Sequence, residues 1–212
     1  MLKKFLIPAI LILFIVSCEK SSKKKIDTSL PKPTLSLSSG DYVMDNDNSS
    51  IKWTGRELST KSHYGSLQMK NGSLTVNTDG TINGIIKIDM TTIDCEDLQG
   101  RSKASLERHL RSDDFFSVES HPIATLTFKR EGGIGAGNKL AFNGDLEIKG
   151  ISHPISFESE LKSVDPKVSA LVDMTFDRSK YNVRFRSGTF FQNLGDKLIY
   201  DDIEISVDIR TL

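Results

Sequence analysis

Apolar and polar residues alternate over most of the chain, most clearly between Leu140 and Phe157. Leu140, Phe142, Leu146 and Ile148 share one phase with Gly144, and Ile155 and Phe157 form a second run. A period of two sends successive side chains to opposite faces of a strand. Gly150, Ser152 and Pro154 between the runs are turn residues, so the stretch predicts two strands and a tight connection. The same device recurs on either side. Ile51 and Trp53 alternate with Gly55 in phase, and Leu67 and Met69 lead into Asn71-Gly72. Leu74 and Val76 follow, then Asp79-Gly80, then Ile82, Ile86, Ile88 and Met90. Asn-Gly and Asp-Gly between alternating runs are hairpin signals, because both positions accept positive φ. The first half therefore predicts four strands in a meander.

From Ser102 to Arg111 the period changes. Leu106 and Leu110 lie four apart, Ser102 is placed to cap, and Arg108, His109 and Arg111 gather near the end. This predicts one short helix lying over an opening or a face. Strand patterns resume at Ala124, Leu126 and Phe128. A loose turn is expected where Gly132, Gly133, Gly135 and Gly137 precede Asn138. Val168, Ala170, Val172, Met174 and Phe176 share one phase, Val183 and Phe185 suggest a further strand, and Ile203, Ile205, Val207 and Ile209 close the chain. About eight to ten strands with one wet and one dry face, and one or two helices, argue for an all-β antiparallel sheet closed as a barrel.

The N-terminus has a different character. Lys3 and Lys4 precede an apolar run from Phe5 to Val16, broken by Pro8. A membrane span needs about 20 apolar residues, so residues 1–17 read as a signal peptide. The run ends Ile15-Val16-Ser17-Cys18, which resembles the lipobox of bacterial lipoproteins. That resemblance implies cleavage before Cys18 and acylation of it by palmitate-type chains, a stable anchor. Residues 18–40 are rich in Ser and Lys, with Pro31 and Pro33, and read as a tether. The folded domain spans 41–212.

Lys+Arg and Asp+Glu both number 28, so no basic field points to nucleic acid. The basic excess of the first 40 residues leaves the body mildly acidic. The chain has 2 cysteines, and with Cys18 acylated no disulfide framework exists. His63, His109, His121 and His153 lack metal-ligand spacing, and no nucleophile elbow is present. Acidic neighbours Asp94 and Glu96 dull Cys95 as a nucleophile. Asp113 and Asp114 are adjacent and poorly placed to converge on one substrate atom. Arg178, Lys180, Arg184 and Arg186 are weighed as a phosphate grip and, with more weight, as an exposed strand face. No enzyme, cofactor or metal is expected. The 11 Phe residues either fill the core or line a ligand cavity, and alternation alone leaves both open.

Six segments in order carry a resemblance to the YceI family of bacterial secreted proteins. They are Asp47 to Trp53, Gly65, Ile88 to Ile93, His109 to Phe116 with Pro122, Gly144 to Pro154, and Arg178 to Val183 with the final strand. The resemblance covers residues 41–212 and implies an extended, lipocalin-like β-barrel. Several members of the family hold an isoprenoid or other lipid chain inside the barrel. The implied function is sequestration or transport of a long-chain lipid-like ligand (isoprenoid, quinone or fatty-acyl type) in the cell envelope. Trp53, Phe142, Phe157, Phe176 and Phe185 are the cavity candidates, chosen by phase. The lipobox-like motif adds a membrane partner and places the chain on the periplasmic face of the outer membrane. A homodimer is left open, and a filled barrel serving as an interaction module is the rival reading.

Overall fold

The computed structural model describes residues 35, 37–59, 61–132, 137–164 and 167–212, all within one compact unit, Lys32–Leu212. The signal peptide, Cys18, most of the tether and much of the glycine-rich turn lie outside the described residues. Among the described residues nine strands occur: β1 (Gly40–Val43), β2 (Ser50–Arg56), β3 (Ser62–Val76), β4 (Ile82–Cys95), β5 (Ile123–Arg130), β6 (Lys139–Ile148), β7 (Ile151–Val164), β8 (Lys167–Asp177) and β9 (Asp202–Arg210). The helix α1 (Gly100–Arg111) sits between β4 and β5, and 3₁₀ turns occupy Arg178–Tyr181 and Gly195–Lys197.

Every strand pairing is antiparallel. The order runs β3-β2-β9-β8-β7-β6-β5-β4, and β4 returns to β3, so eight strands close a ring. Closure removes most of the free edges that would otherwise invite pairing with other chains. The long strand β3 is shared on its outer side. Its first half pairs β2 and its second half pairs β1, which extends the wall where β2 stops.

Alternation places Ile82, Ile86 and Met90 of β4, and Leu140, Phe142, Leu146 and Ile148 of β6, in the interior. Asp79-Gly80 turns as its sequence predicts: Gly80 has φ 82° and Asn77 N–H donates to Thr81 O at 2.8 Å. Asn71-Gly72 does not. The expected hairpin is replaced by a continuous β3, with one extra residue bulging between Met69 and Asn71. Gly72 meets a spatial need there, since a Cβ would lie 2.4 Å from Met44 Sδ. Ser152 and Pro154 likewise lie inside β7, and the turn is Lys149-Gly150, with φ 55° and 71°.

The N-cap of α1 is Gln99, which makes no side-chain cap hydrogen bond; Ser102 is already inside the helix. The basic C-terminal turn is as expected, and Leu110 is buried. Three contacts tie the helix to the end of β4. Lys103 Nζ is 2.8 Å from Asp94, Glu107 accepts from Cys95 N–H at 3.0 Å, and Arg111 donates to Ile93 O.

Val183 and Phe185 form no strand. They lie in an irregular strap after β8, between left-handed residues Asn182 (φ 58°) and Arg186 (φ 51°). Arg178 organises the strap. Its side chain is fully buried and donates to Tyr200 O at 3.1 Å, Val183 O at 3.0 Å and Ile199 O at 3.0 Å. Asp201 lies 3.1 Å away as its counter-charge. The planar guanidinium fork can reach three carbonyls at once, and a lysine ammonium cannot hold that geometry. The basic cluster around Tyr181 is thus neither a phosphate grip nor an exposed strand face at Arg178. We expect Arg178→Lys to lower unfolding free energy by about 3 kcal/mol or more in urea titrations. A loss under about 0.5 kcal/mol would mean the strap holds itself.

Candidate functional site

The barrel interior is not full. A cavity of about 310 Å³ occupies the end beneath α1. Its wall comes from inward residues of β4 (Ile86, Ile88, Met90), β5 (Ala124, Leu126) and β9 (Ile203, Ile205, Val207). Leu106, His109 and Leu110 of α1 close it from above, with Phe115 and Phe116 just beyond. The spacing 106, 109, 110 is one helical face, so the pattern that predicts the helix also selects these lining residues.

Trp53, Phe176 and Phe185 stand on this cavity wall. Phe142 and Phe157 do not. They lie deeper, stacked with centroids 5.5 Å apart, and Phe128 meets both edge-on at 5.6 and 6.0 Å. The three rings line a second chamber of about 70 Å³. Ile86, Leu126, Met174 and Val207 border both spaces and form the septum between them. Phase tells which residues point inward but not their level along the barrel axis, so it cannot separate these two groups. Met174, Arg186 and the helix residues are lining positions that an aromatic inventory passes over.

Trp53 lies on Gly65 of the neighbouring strand. A Cβ at Gly65 would be 2.9 Å from Trp53 Cζ2 and 1.8 Å from Asp94 O, so only glycine fits. The indole Nε1 is buried without an acceptor.

Polar groups gather at one end of the cavity: Glu57, His63, His109 and Arg186. His109 is held edge-on against Phe185 at 4.4 Å and Phe115 at 5.0 Å, with Asp114 at 3.4 Å. His63 Nδ1 is 2.8 Å from Asp97 Oδ2. Burial opposes ionisation of Asp97, but His63, the Tyr64 N–H and the Cys95 thiol all support its charge, and its pKa lies below the usual value. Cys95 moves the other way. Burial first, then its hydrogen bond to Asp97, push the thiol up to about 11. A thiol so raised is almost wholly protonated at neutral pH and is a poor nucleophile. Among the described residues no group of three or more His, Cys, Asp or Glu is placed to hold a metal ion. The arrangement suits burial of an apolar chain with a polar group near one end.

The family description of the YceI-like domain matches residues 42–211. A UPF0312 protein of Photorhabdus laumondii is 27% identical over 152 residues, 68% of this chain and 72% of that protein. Protein YceI of Escherichia coli O157:H7 is 26% identical over 101 residues, 46% of this chain and 48% of its own length. Among solved structures, Burkholderia cenocepacia BcnA superposes with a TM-score of 0.59 at 14% identity, covering 80% of this chain and 99% of that one. A polyisoprenoid binding domain from Saccharophagus degradans gives 0.56 at 12% identity, covering 80% and 97%. At these identities the two structures speak to the fold alone.

Proposed function

The chain belongs to the YceI-like family, and from that premise together with the apolar cavity we propose that it binds a lipid-like chain inside the barrel. The observation that carries the reading is the cavity itself: about 310 Å³ of space beneath α1, walled by Ile, Leu, Met and Phe side chains. Burial drives binding. Each methylene removed from water contributes about 0.8 kcal/mol, so few polar contacts are needed. At roughly 30 Å³ per heavy atom, the cavity holds a segment of about ten atoms. An isoprenoid, quinone or fatty-acyl ligand longer than that continues beyond the septum or outside the wall. The Saccharophagus degradans relative, a polyisoprenoid binding domain by name, supports the isoprenoid class. The filled-barrel alternative describes only the deep end, where Phe128, Phe142 and Phe157 pack together.

The second element of the proposal is the tether. Cys18 closes a signal-like apolar run and carries the acyl anchor, holding the domain at the periplasmic face of the outer membrane. There it sequesters or transports its ligand in the cell envelope. The Cys18→Ala chain is expected in the soluble fraction without labelled palmitate, and the unaltered chain in the membrane fraction with it. Equal membrane retention of both would sink the anchor.

Trp53 is the only tryptophan and stands on the cavity wall, so it reports occupancy directly. Retinol, an isoprenoid alcohol that accepts energy from indole, is expected to quench its emission saturably. Ala124→Phe, which projects a ring into the same space, should weaken retinol at least about tenfold, equivalent to 1.4 kcal/mol. Circular dichroism confirms that the variant is folded. Unchanged affinity in a folded variant would place the ligand elsewhere.

A further inference from the structure

The barrel wall has an unlaced seam between β7 and β8. The β7–β8 ladder runs only from Ser159↔Val172 to Val164↔Lys167. Below it, residues 151–158 of β7 pair with β6 alone, and residues 173–177 of β8 pair with β9 alone. One residue of the sequence contributes to this. In the two-residue hairpin Ile148↔Ile151 is the hydrogen-bonded pair, so Pro154, opposite Asp145, falls at a non-bonded position. It turns its donor-less nitrogen toward β8, where no ladder bond can form. The far end of the seam is pinned by His153, whose Nε2 lies 3.0 Å from Lys180 O and whose ring meets Tyr181 edge-on at 5.3 Å.

Three inward residues along the seam are only half-buried, Ile155 and Phe157 on β7 and Met174 on β8, while Phe176 is buried. Outside it lies a trough of about 750 Å³. Met174 is the single described residue that borders the trough, the main cavity and the deep chamber. Its unbranched, flexible side chain can swing aside at little cost. The helix end offers no such path, because α1 is tied to β4 at Asp94, Cys95 and Ile93.

Building on the lipid-binding reading, we propose that the ligand's tail passes through the β7–β8 seam past Met174, while its head group rests in the outer trough. The trough supplies hydrogen-bonding side chains, Asn143, Ser156, Thr175 and Ser206. Glu158 and Asp173 stand exposed on its two sides, and its lysine, Lys52, is engaged by Glu96 at 2.6 Å. The head group it accepts carries no negative charge: a hydroxyl, a carbonyl or an amine.

The test uses the Cys18→Ala chain, Trp53 emission with retinol, and three competitors with one tail: hexadecanol, hexadecylamine and hexadecanoate. Met174→Ala should speed retinol association at least fivefold in stopped flow. The surface pair Glu158→Lys with Asp173→Lys, remote from the core, should shift the amine-to-carboxylate affinity ratio at least tenfold toward carboxylate. Unchanged rates in Met174→Ala, or a head-group preference that follows Arg186→Ala instead of the trough pair, would overturn the seam and leave lipid binding intact. If retinol and all three competitors fail to bind the unaltered cavity, the lipid-binding reading falls first and the seam with it.

Discussion

Everything in this molecule depends on the return of β4 to β3. That pairing turns an open sheet into a ring whose longest unpaired edge is the lower part of the β7–β8 seam. It also fixes a perimeter that inward side chains must fill. At the deep end three phenylalanines meet and nearly succeed. At the other end aliphatic side chains of the strands share the wall with Trp53, Phe176 and Phe185, and about 310 Å³ stays empty. The cavity is therefore space that the inward side chains of this end leave unfilled within a fixed perimeter. It needs no special loop to create it.

Two devices keep the empty end covered. Helix α1 lays Leu106, His109 and Leu110 across it and is fastened to the end of β4. The strap from Arg178 onward brings Phe185 and Arg186 to the rim, and the buried Arg178 guanidinium gathers its carbonyls. Irregular backbone next to an apolar space leaves polar groups in want of partners, and one arginine supplies several. The residues nearest in appearance to catalytic groups are engaged by their neighbours. His63, Asp97 and Cys95 bind one another, and His109 is clasped between two rings.

Strand content was legible because period two survives in nearly every segment, and the helix was legible because Leu106 and Leu110 break that period. Turn chemistry was less reliable. Asp79-Gly80 turns, yet Asn71-Gly72 is absorbed into β3, because a glycine that admits Met44 and one that admits positive φ look identical in sequence. Pro154 misled in the same way: it marks an unpaired strand side, not a turn. Val183 and Phe185 alternate but are held in a strap by a residue whose burial no local pattern announces. At the site, phase found the inward rings. It could not rank them by depth, which is why Phe142 and Phe157 border the small chamber and Trp53, Phe176 and Phe185 the large one.

The most direct measurement is mass spectrometry of an organic extract from the folded, purified protein. The account predicts a stoichiometric lipid-like species, with an apolar tail and a head group lacking negative charge. An extract empty of any such species, from protein that also takes up no added isoprenoid alcohol or long-chain lipid, would contradict it.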